Sequence, residues 1–145
     1  MLRRLVLVTL TVVAAVAAQT PSVEPPFVVI VPSSNPILSI SRADLSAIFM
    51  RKTRSWRDGS QIIPVDQQAT SRVREVFSRS VHGKTVAFVT RYWHRLIFSG
   101  RGIPPIELAS DAAVIEFVKA NRGAIGYIGR QTPAGDDVRV VPVTP

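Results

Sequence analysis

The chain has 145 residues, of which 46% are apolar and 19% are charged, and a chain of this size can build one hydrophobic core but hardly a second. It contains no cysteine, which excludes a disulfide-held scaffold. Its net charge of +8 favours anions, acidic polymers or an anionic membrane surface as partners, although a basic surface can also serve solubility alone.

The first twenty residues have the pattern of a secretory signal peptide. Two arginines precede an almost entirely apolar run at positions 5–16, and small alanines follow it. That run is shorter than the roughly 20 residues that a membrane-spanning helix needs. We therefore expect a removable signal peptide at 1–18, a flexible lead-in at 19–26, and a periplasmic or secreted domain at 27–145 without an integral membrane segment.

Strand and helix patterns alternate along the rest of the chain. In order, the sequence predicts a strand at 27–31, a helix at 41–50, a strand at 61–65, helices at 71–83 and 85–98, a helix from 110 to about 121, and strands at 124–128 and 138–143. The last strand contains Pro142, which favours a place at the edge of a sheet. This order predicts an α/β fold in which helices flank a mixed, mostly parallel sheet.

Two of the predicted helices have a recognisable inner face. In the helix at 71–83, the residues at helical spacing are Val73, Val76, Phe77 and Val81. In the helix at 85–98, the apolar half consists of Phe88, Val89, Tyr92, Trp93, Leu96 and Ile97, and the polar half carries Arg91, His94 and Arg95. We expect both apolar sets to pack into the core.

The residue patterns of common enzymes are missing. The two histidines, His82 and His94, lie twelve apart without any cysteine, so no common zinc-ligand spacing exists. There is neither a phosphate-binding P-loop nor a G-x-S-x-G nucleophile motif. Asp44, Asp58 and Asp66 are explained as a helix cap, a turn and a strand end. We therefore expect no catalysis, no metal and no cofactor.

Three short segments could supply donors to a small anion. Ser33, Ser34 and Asn35 follow the first predicted strand, Thr70 and Ser71 stand where a helix begins, and Arg101 lies between two glycines. Helix N-termini attract anions, and ligands of α/β sheets gather beyond strand ends, so we expect these segments to converge on one site. The alternative for each is structural: Asn35 makes a turn, Ser71 caps its helix and Arg101 is merely solvated.

Longer stretches of the sequence resemble a known family. The run SRADLSAIFMRKTRSWRDGSQIIPVDQ, followed by YWHRLIFSGRGIPP and GAIGYIG, is similar to the phosphate-type substrate-binding proteins of ABC transporters, and to their short, single-domain members in particular. The resemblance implies one lobe of a type 2 periplasmic-binding fold. Full-length relatives hold phosphate between two lobes with hydroxyl groups and helix N-termini. Of their Gly-Ser-Gly-Thr motif, the segment Thr70-Ser71-Arg72-Val73 retains only the serine.

Two functions of different classes follow from these features. The first is an exported, non-catalytic solute-binding protein that takes a small oxyanion such as phosphate, with an ABC permease or a sensor as the implied partner. The second is an envelope interaction protein that has lost its ligand and binds an acidic protein, a glycan or a membrane surface through the basic stretch with Arg51, Lys52 and Arg54. Nucleic acid is not expected as a partner.

Overall fold

The computed structural model describes residues 24–145, so the predicted signal peptide and most of the lead-in lie outside the described residues. The elements are β1 (Phe27–Pro32), β2 (Ile40–Ser41), α1 (Arg42–Phe49), β3 (Ile63–Gln67), α2 (Arg72–Phe77) with its π-helical continuation (Ser78–His82), α3 (Val86–Phe98), β4 (Ile106–Leu108), α4 (Asp111–Ala120), β5 (Ala124–Gly129), β6 (Val138–Val141) and β7 (Val143–Thr144). All four predicted helices are present. The strand prediction missed β2 and β4, which are only two and three residues long.

The main sheet has five strands in the order β4-β3-β5-β1-β6. Strand β3 is parallel to β4 and β5, whereas β1 is antiparallel to its neighbours β5 and β6. Every strand except β1 therefore runs in the same direction. The predicted mixed, mostly parallel sheet flanked by helices is confirmed, and β6 lies at an edge as Pro142 suggested.

Helices cover both faces of this sheet. Successive β1 side chains point to opposite faces, so Val29 and Val31 join a core cluster with α1 and α2, while Ile30 joins the cluster beneath α4. Tyr127 of β5 stacks on Phe77 of α2 with ring centroids 3.8 Å apart. Strand β1 is thus buried on both faces, as its continuous apolar run predicts.

The direction of β1 decides which loops meet. Phe27, at the start of β1, pairs with Gly129 at the end of β5, and Pro32, at the end of β1, pairs with Val138 at the start of β6. We call the side of the sheet where β3 and β5 end the carboxyl edge, and the opposite side the amino edge. The length of β1 separates the two edges by roughly 17 Å.

The two helices with a predicted inner face are oriented differently from expectation. In α2 and its π-helical continuation, Arg74 and Ser78 are buried together with Phe77 and Val81, whereas Val73 and Val76 are only half-buried. In α3, only Val89 and Trp93 are buried. Because α3 packs mainly on the π-helical segment rather than on the sheet, one narrow stripe of its apolar half is covered.

Candidate functional site

A cluster of polar side chains lies at the carboxyl edge, where β3 and β5 end and where α2 and α4 begin. It contains Asp66, Gln67, Ser71, Arg74, Glu107, Asp111, Tyr127 and Thr132, and we call it the polar cluster. Asp66, Gln67 and Arg74 are each less than a tenth exposed. Buried polar groups are stable only when they are hydrogen-bonded, and these are bonded to one another.

An ion pair forms the inner half of the polar cluster. The Arg74 guanidinium lies 3.2 Å from Asp66 Oδ2 and 2.6 Å from Glu107 Oε1, and it also donates to the Gln67 carbonyl. The Tyr127 hydroxyl donates to Asp66. The strand-end role expected for Asp66 is incomplete, because its carboxylate also balances the buried Arg74.

Burial controls the protonation of these groups. It raises the pKa of Asp66, while Arg74 and the Tyr127 hydroxyl act in the opposite direction. Burial, and then the neighbouring Asp66, also raises the pKa of Tyr127, so the phenol stays protonated and remains a donor. Burial alone would lower the pKa of Arg74, but Asp66 and Glu107 raise it. The guanidinium is therefore charged and fully engaged by protein carboxylates.

The outer half of the polar cluster is organised by Gln67. Its Nε2 donates to Asp111 Oδ1 (2.7 Å), and its Oε1 accepts from the Ser71 hydroxyl (2.6 Å). Asp111 Oδ2 also accepts from the Gly129 N–H (3.0 Å) and the Thr132 hydroxyl (2.5 Å). The Asp111 carboxylate thus accepts hydrogen bonds from three converging donors, as a bound anion does in an anion-binding site.

The predicted residues Thr70 and Ser71 lie at this edge. Ser71 caps α2 by accepting from the Arg74 N–H at 3.2 Å, and its own proton is donated to Gln67. The structural alternative for Ser71 is therefore realised. Thr70 is exposed, and the first turn of α2 leaves the N–H groups of Arg72 and Val73 without a partner inside the helix.

The other predicted donors lie at the amino edge. Ser33 N–H donates to the carbonyl of Asp137, directly before β6, and Asn35 Oδ1 accepts from the Ile37 N–H in a tight turn. The expectation that this segment meets Ser71 is wrong, because the antiparallel direction of β1 carries the chain away from the carboxyl edge. Whether any of these residues contacts a ligand stays a prediction.

Ser34 and Asn35 line a separate open groove of about 910 Å³ at the amino edge. Trp56, Arg57 and Arg122 line the same groove, and the Trp56 indole N–H donates to the Gly123 carbonyl at 3.2 Å. The groove therefore combines one aromatic ring with two arginines. It has no contact with the polar cluster, since the sheet lies between them.

Arg101 is exposed in the loop between α3 and β4. Within residues 24–145, no hydrogen bond or salt bridge joins Arg101 to either predicted donor segment. His94 is exposed on α3, as expected, whereas His82 is half-buried and lies 2.8 Å from the Ser46 hydroxyl. Among the described residues, no group of three histidine, aspartate or glutamate side chains could hold a metal ion.

Sequence reasoning missed most members of the polar cluster. The apolar stripe predicted for α2 does not include Arg74, and no pattern in the sequence singles out Asp111 or Tyr127. One available signal was the pair Asp66-Gln67, two hydrogen-bonding side chains at the end of an apolar strand and shortly before a capped helix. Such a pair beyond a strand of an α/β sheet is a common place for functional groups.

A mostly parallel sheet flanked by helices on both faces is the architecture of one lobe of the periplasmic-binding fold. The family model described as "PBP superfamily domain" matches residues 13–139. The chain therefore belongs to the periplasmic-binding-protein superfamily. No curated protein matches the sequence significantly.

Several solved structures share the fold. An ABC-type phosphate transport receptor from Vibrio cholerae superposes with a TM-score of 0.64 at 18% identity, covering 81% of this chain and 46% of that one. A putative phosphate ABC transporter substrate-binding protein with bound phosphate, from Clostridium perfringens, gives 0.64 at 19% identity, with 81% and 44% covered. A possible phosphate-binding protein from Planctomyces limnophilus gives 0.63 at 16%, with 82% and 41% covered. The chain spans less than half the length of these relatives, and at such identities the likeness concerns the fold.

Within the described residues, no helix is long and apolar enough to cross a membrane.

Proposed function

We propose that this chain is an exported, non-catalytic solute-binding lobe that binds a small oxyanion such as phosphate weakly at the carboxyl edge. A role in ABC-type phosphate uptake or sensing, with a permease or sensor as partner, belongs to the same proposal. The observation that carries it is the position of the α2 N-terminus, beside the exposed Thr70 and Arg72, at the carboxyl edge of a lobe of this family. The solved structures that share the fold include a phosphate transport receptor and a putative phosphate ABC transporter substrate-binding protein with bound phosphate.

The donors proposed for the anion are the N–H groups of Arg72 and Val73, the Thr70 hydroxyl and the Arg72 guanidinium. Thr70 and Arg72 are exposed, so they reach a ligand without rearrangement of the core. The π-helical segment continues α2 directly, so the helical stretch that begins at Arg72 extends to His82. Its aligned peptide dipoles favour negative charge at the first turn.

Weak rather than tight binding follows from the charges nearby. Ser71 has already donated its proton to Gln67, and Arg74 is engaged by two carboxylates. Asp111 adds another negative charge at the same edge. With few free donors and several repelling carboxylates, we expect a dissociation constant on the order of 1 mM, or about 4 kcal/mol of binding free energy.

The test is titration calorimetry of the exported protein with phosphate, sulfate and chloride at constant ionic strength. We expect saturable heat with phosphate that is reduced in Arg72→Gln and in Thr70→Val, a substitution that removes only the hydroxyl. Arg79→Gln is the matched control, because Arg79 is exposed farther along the same helical segment and should leave binding unchanged.

Two results would contradict the proposal. The first is the absence of saturable heat with every anion. The second is an equal loss in Arg72→Gln and Arg79→Gln, since the anion would then respond to overall charge rather than to the α2 terminus.

A further inference from the structure

We propose that α3 and the loop after it form a docking surface for an anionic phospholipid bilayer. This α3 surface consists of the cations Arg91, Arg95 and Arg101 and the apolar side chains Ile97, Phe98 and Ile103. The proposal does not depend on oxyanion binding, because none of these residues is among the donors proposed for the anion.

The apolar part of the α3 surface is unusually exposed. Phe98 is 90% exposed, Ile103 is 76% exposed and Ile97 is 50% exposed. Single exposed apolar residues are ordinary on soluble proteins, but a contiguous group of large ones marks an interaction site. The periodicity of α3 assigned Ile97 to the core, and the fold leaves it in contact with solvent.

The three side chains belong to the last turn of α3 and to the loop that follows it. Ile97 and Phe98 are consecutive at the end of α3, and the following loop folds back on the helix. A Cβ added to Gly102 would lie 3.0 Å from Leu96 Cβ and 3.4 Å from the Trp93 ring. Ile103, next to Gly102, is therefore held beside the last turns of α3.

The charged part of the α3 surface has a single sign. From Lys84 to Ile103 the sequence holds four lysines and arginines and neither aspartate nor glutamate. Within residues 24–145, Arg91, Arg95 and Arg101 form no salt bridge. Their charges are therefore available to an external anion.

A shallow pocket of about 420 Å³ lies between the two phenylalanine rings of α3. Phe88 and Phe98 close its ends, and Arg91, His94 and Arg95 line it between them. A phosphodiester headgroup bound there would meet two guanidinium groups, while its acyl chains would meet the protruding Phe98 ring. Clustered cations beside protruding apolar side chains are the pattern of interfacial binding to anionic lipid.

A second copy of the chain fits this surface poorly. In a symmetric dimer the same patch faces itself, so the arginines of one copy would oppose those of the other. A protein partner would need a pocket for the projecting Phe98 ring, whereas the fluid acyl boundary of a bilayer accepts such a side chain without one. Charge complementarity and shape together favour the bilayer.

The test is co-sedimentation of the exported protein with phosphatidylcholine vesicles, with and without about one third phosphatidylglycerol. We expect binding only to the anionic vesicles, and release as salt rises from about 0.1 M to 0.5 M. Equal binding to both kinds of vesicle, or to neither, would overturn the proposal. All variants carry the same N-terminus as the parent, so residues 1–23 contribute equally to every comparison.

Two pairs of substitutions separate the α3 surface from general charge and hydrophobicity. Arg91→Glu with Arg95→Glu should weaken binding at least about 25-fold, since each cation near an anionic membrane is worth roughly fivefold. Arg57→Glu with Arg122→Glu makes the same change of net charge in the amino-edge groove and should weaken binding far less.

The apolar contribution has its own control. The double variant Phe98→Ser with Ile103→Ser should bind the anionic vesicles at least tenfold more weakly, which corresponds to about 1.4 kcal/mol. The control is Leu38→Ser in the amino-edge groove, where Leu38 is 82% exposed, and this variant should leave binding unchanged. Circular dichroism verifies that each variant is folded. Equal effects of the two apolar variants, or light scattering that shows an α3-dependent dimer without vesicle binding, would refute the bilayer as the partner.

Discussion

The polar side chains at the carboxyl edge are hydrogen-bonded to one another. Ser71 shows this most clearly, since its hydroxyl both caps α2 and donates to Gln67. Arg74 has a similar position, held between Asp66 and Glu107. The polar cluster therefore orders the carboxyl edge, and the groups left for a solute are those just outside it.

Removal of Arg74 should be far more costly than removal of its exposed neighbour. Arg74→Met leaves the buried Asp66 carboxylate without its cation, and the expected loss is about 3–5 kcal/mol of unfolding free energy. Arg72→Met should change stability by no more than about 0.5 kcal/mol, because Arg72 is exposed. Urea unfolding of both variants measures the difference, and similar losses would show that the ion pair does not hold the edge together.

His82 makes stability depend on mildly acidic pH. Burial, and secondarily the charge of Arg74, lowers its pKa from 6.5 to about 4. Above pH 6.5 the imidazole is neutral in both the folded and the unfolded chain. Between pH 6.5 and 4 only the unfolded chain takes up the proton, so the folded state loses stability as the pH falls.

The expected loss from His82 is about 3 kcal/mol between pH 7 and pH 4. His82→Asn retains a polar atom near Ser46 but cannot titrate, so its stability should fall less over this range. The comparison isolates His82 because Asp66 and the other carboxyl groups are common to both proteins. Parallel stability curves from urea unfolding across this pH range would contradict the assignment.

Among the secondary-structure elements, the direction of β1 decides which loops can share a site. It separates Ser33 from Ser71 by the length of the sheet, although both segments follow strands in the sequence. The position of α3 matters as well, because its limited packing leaves part of its apolar half exposed. A strand direction and a helix position thus define one candidate site and one candidate docking surface.

The contact between β5 and α4 depends on Gly126. A Cβ at this position would lie 2.7 Å from Val114 Cγ1 and 3.3 Å from Val118 Cγ2. Gly126→Ala should therefore cost about 1–3 kcal/mol by overpacking. Val114→Ala creates the missing space, so the double variant should lose less than the sum of the two single losses. Thermal unfolding of the three variants tests this, and additive losses would count against close packing at Gly126.

For the molecule as a whole, the described residues form a five-stranded main sheet and a two-stranded sheet of β2 and β7. The proposed ligand site lies at the carboxyl edge of the main sheet, where Thr70 and Arg72 are exposed. An anion at an exposed site keeps part of its hydration, which agrees with the weak binding proposed above.

Weak binding should still be visible as thermal stabilisation. With about 10 mM phosphate and a dissociation constant on the order of 1 mM, linkage raises the unfolding free energy by about 1.4 kcal/mol, or roughly 5 °C in Tm. Chloride at the same ionic strength should give no comparable shift. A phosphate shift no larger than that of chloride would argue for the loss of the ligand site.

Local and short-range features were predictable from the sequence. The helices predicted to begin at 41, 71 and 110 are all present and are capped by Ser41, Ser71 and Ser110, because a cap depends on residues within three positions of it. The burial of β1 on both faces follows from its continuous apolar run. The family resemblance, carried by motifs along most of the chain, is confirmed by the family match.

Features that depend on contacts between residues far apart in sequence could be determined only from the folded structure. Strand direction, the inward turn of Arg74 and the partial exposure of α3 depend on contacts between residues far apart in sequence, and periodicity carries no information about them. An apolar stripe predicts that a helix can be buried, but the neighbours available to it determine how much of the stripe is covered. For the same reason, Ser33 and Ser71 both stood after strands in the sequence, and only the pairing of β1 with β5 and β6 placed them at opposite edges.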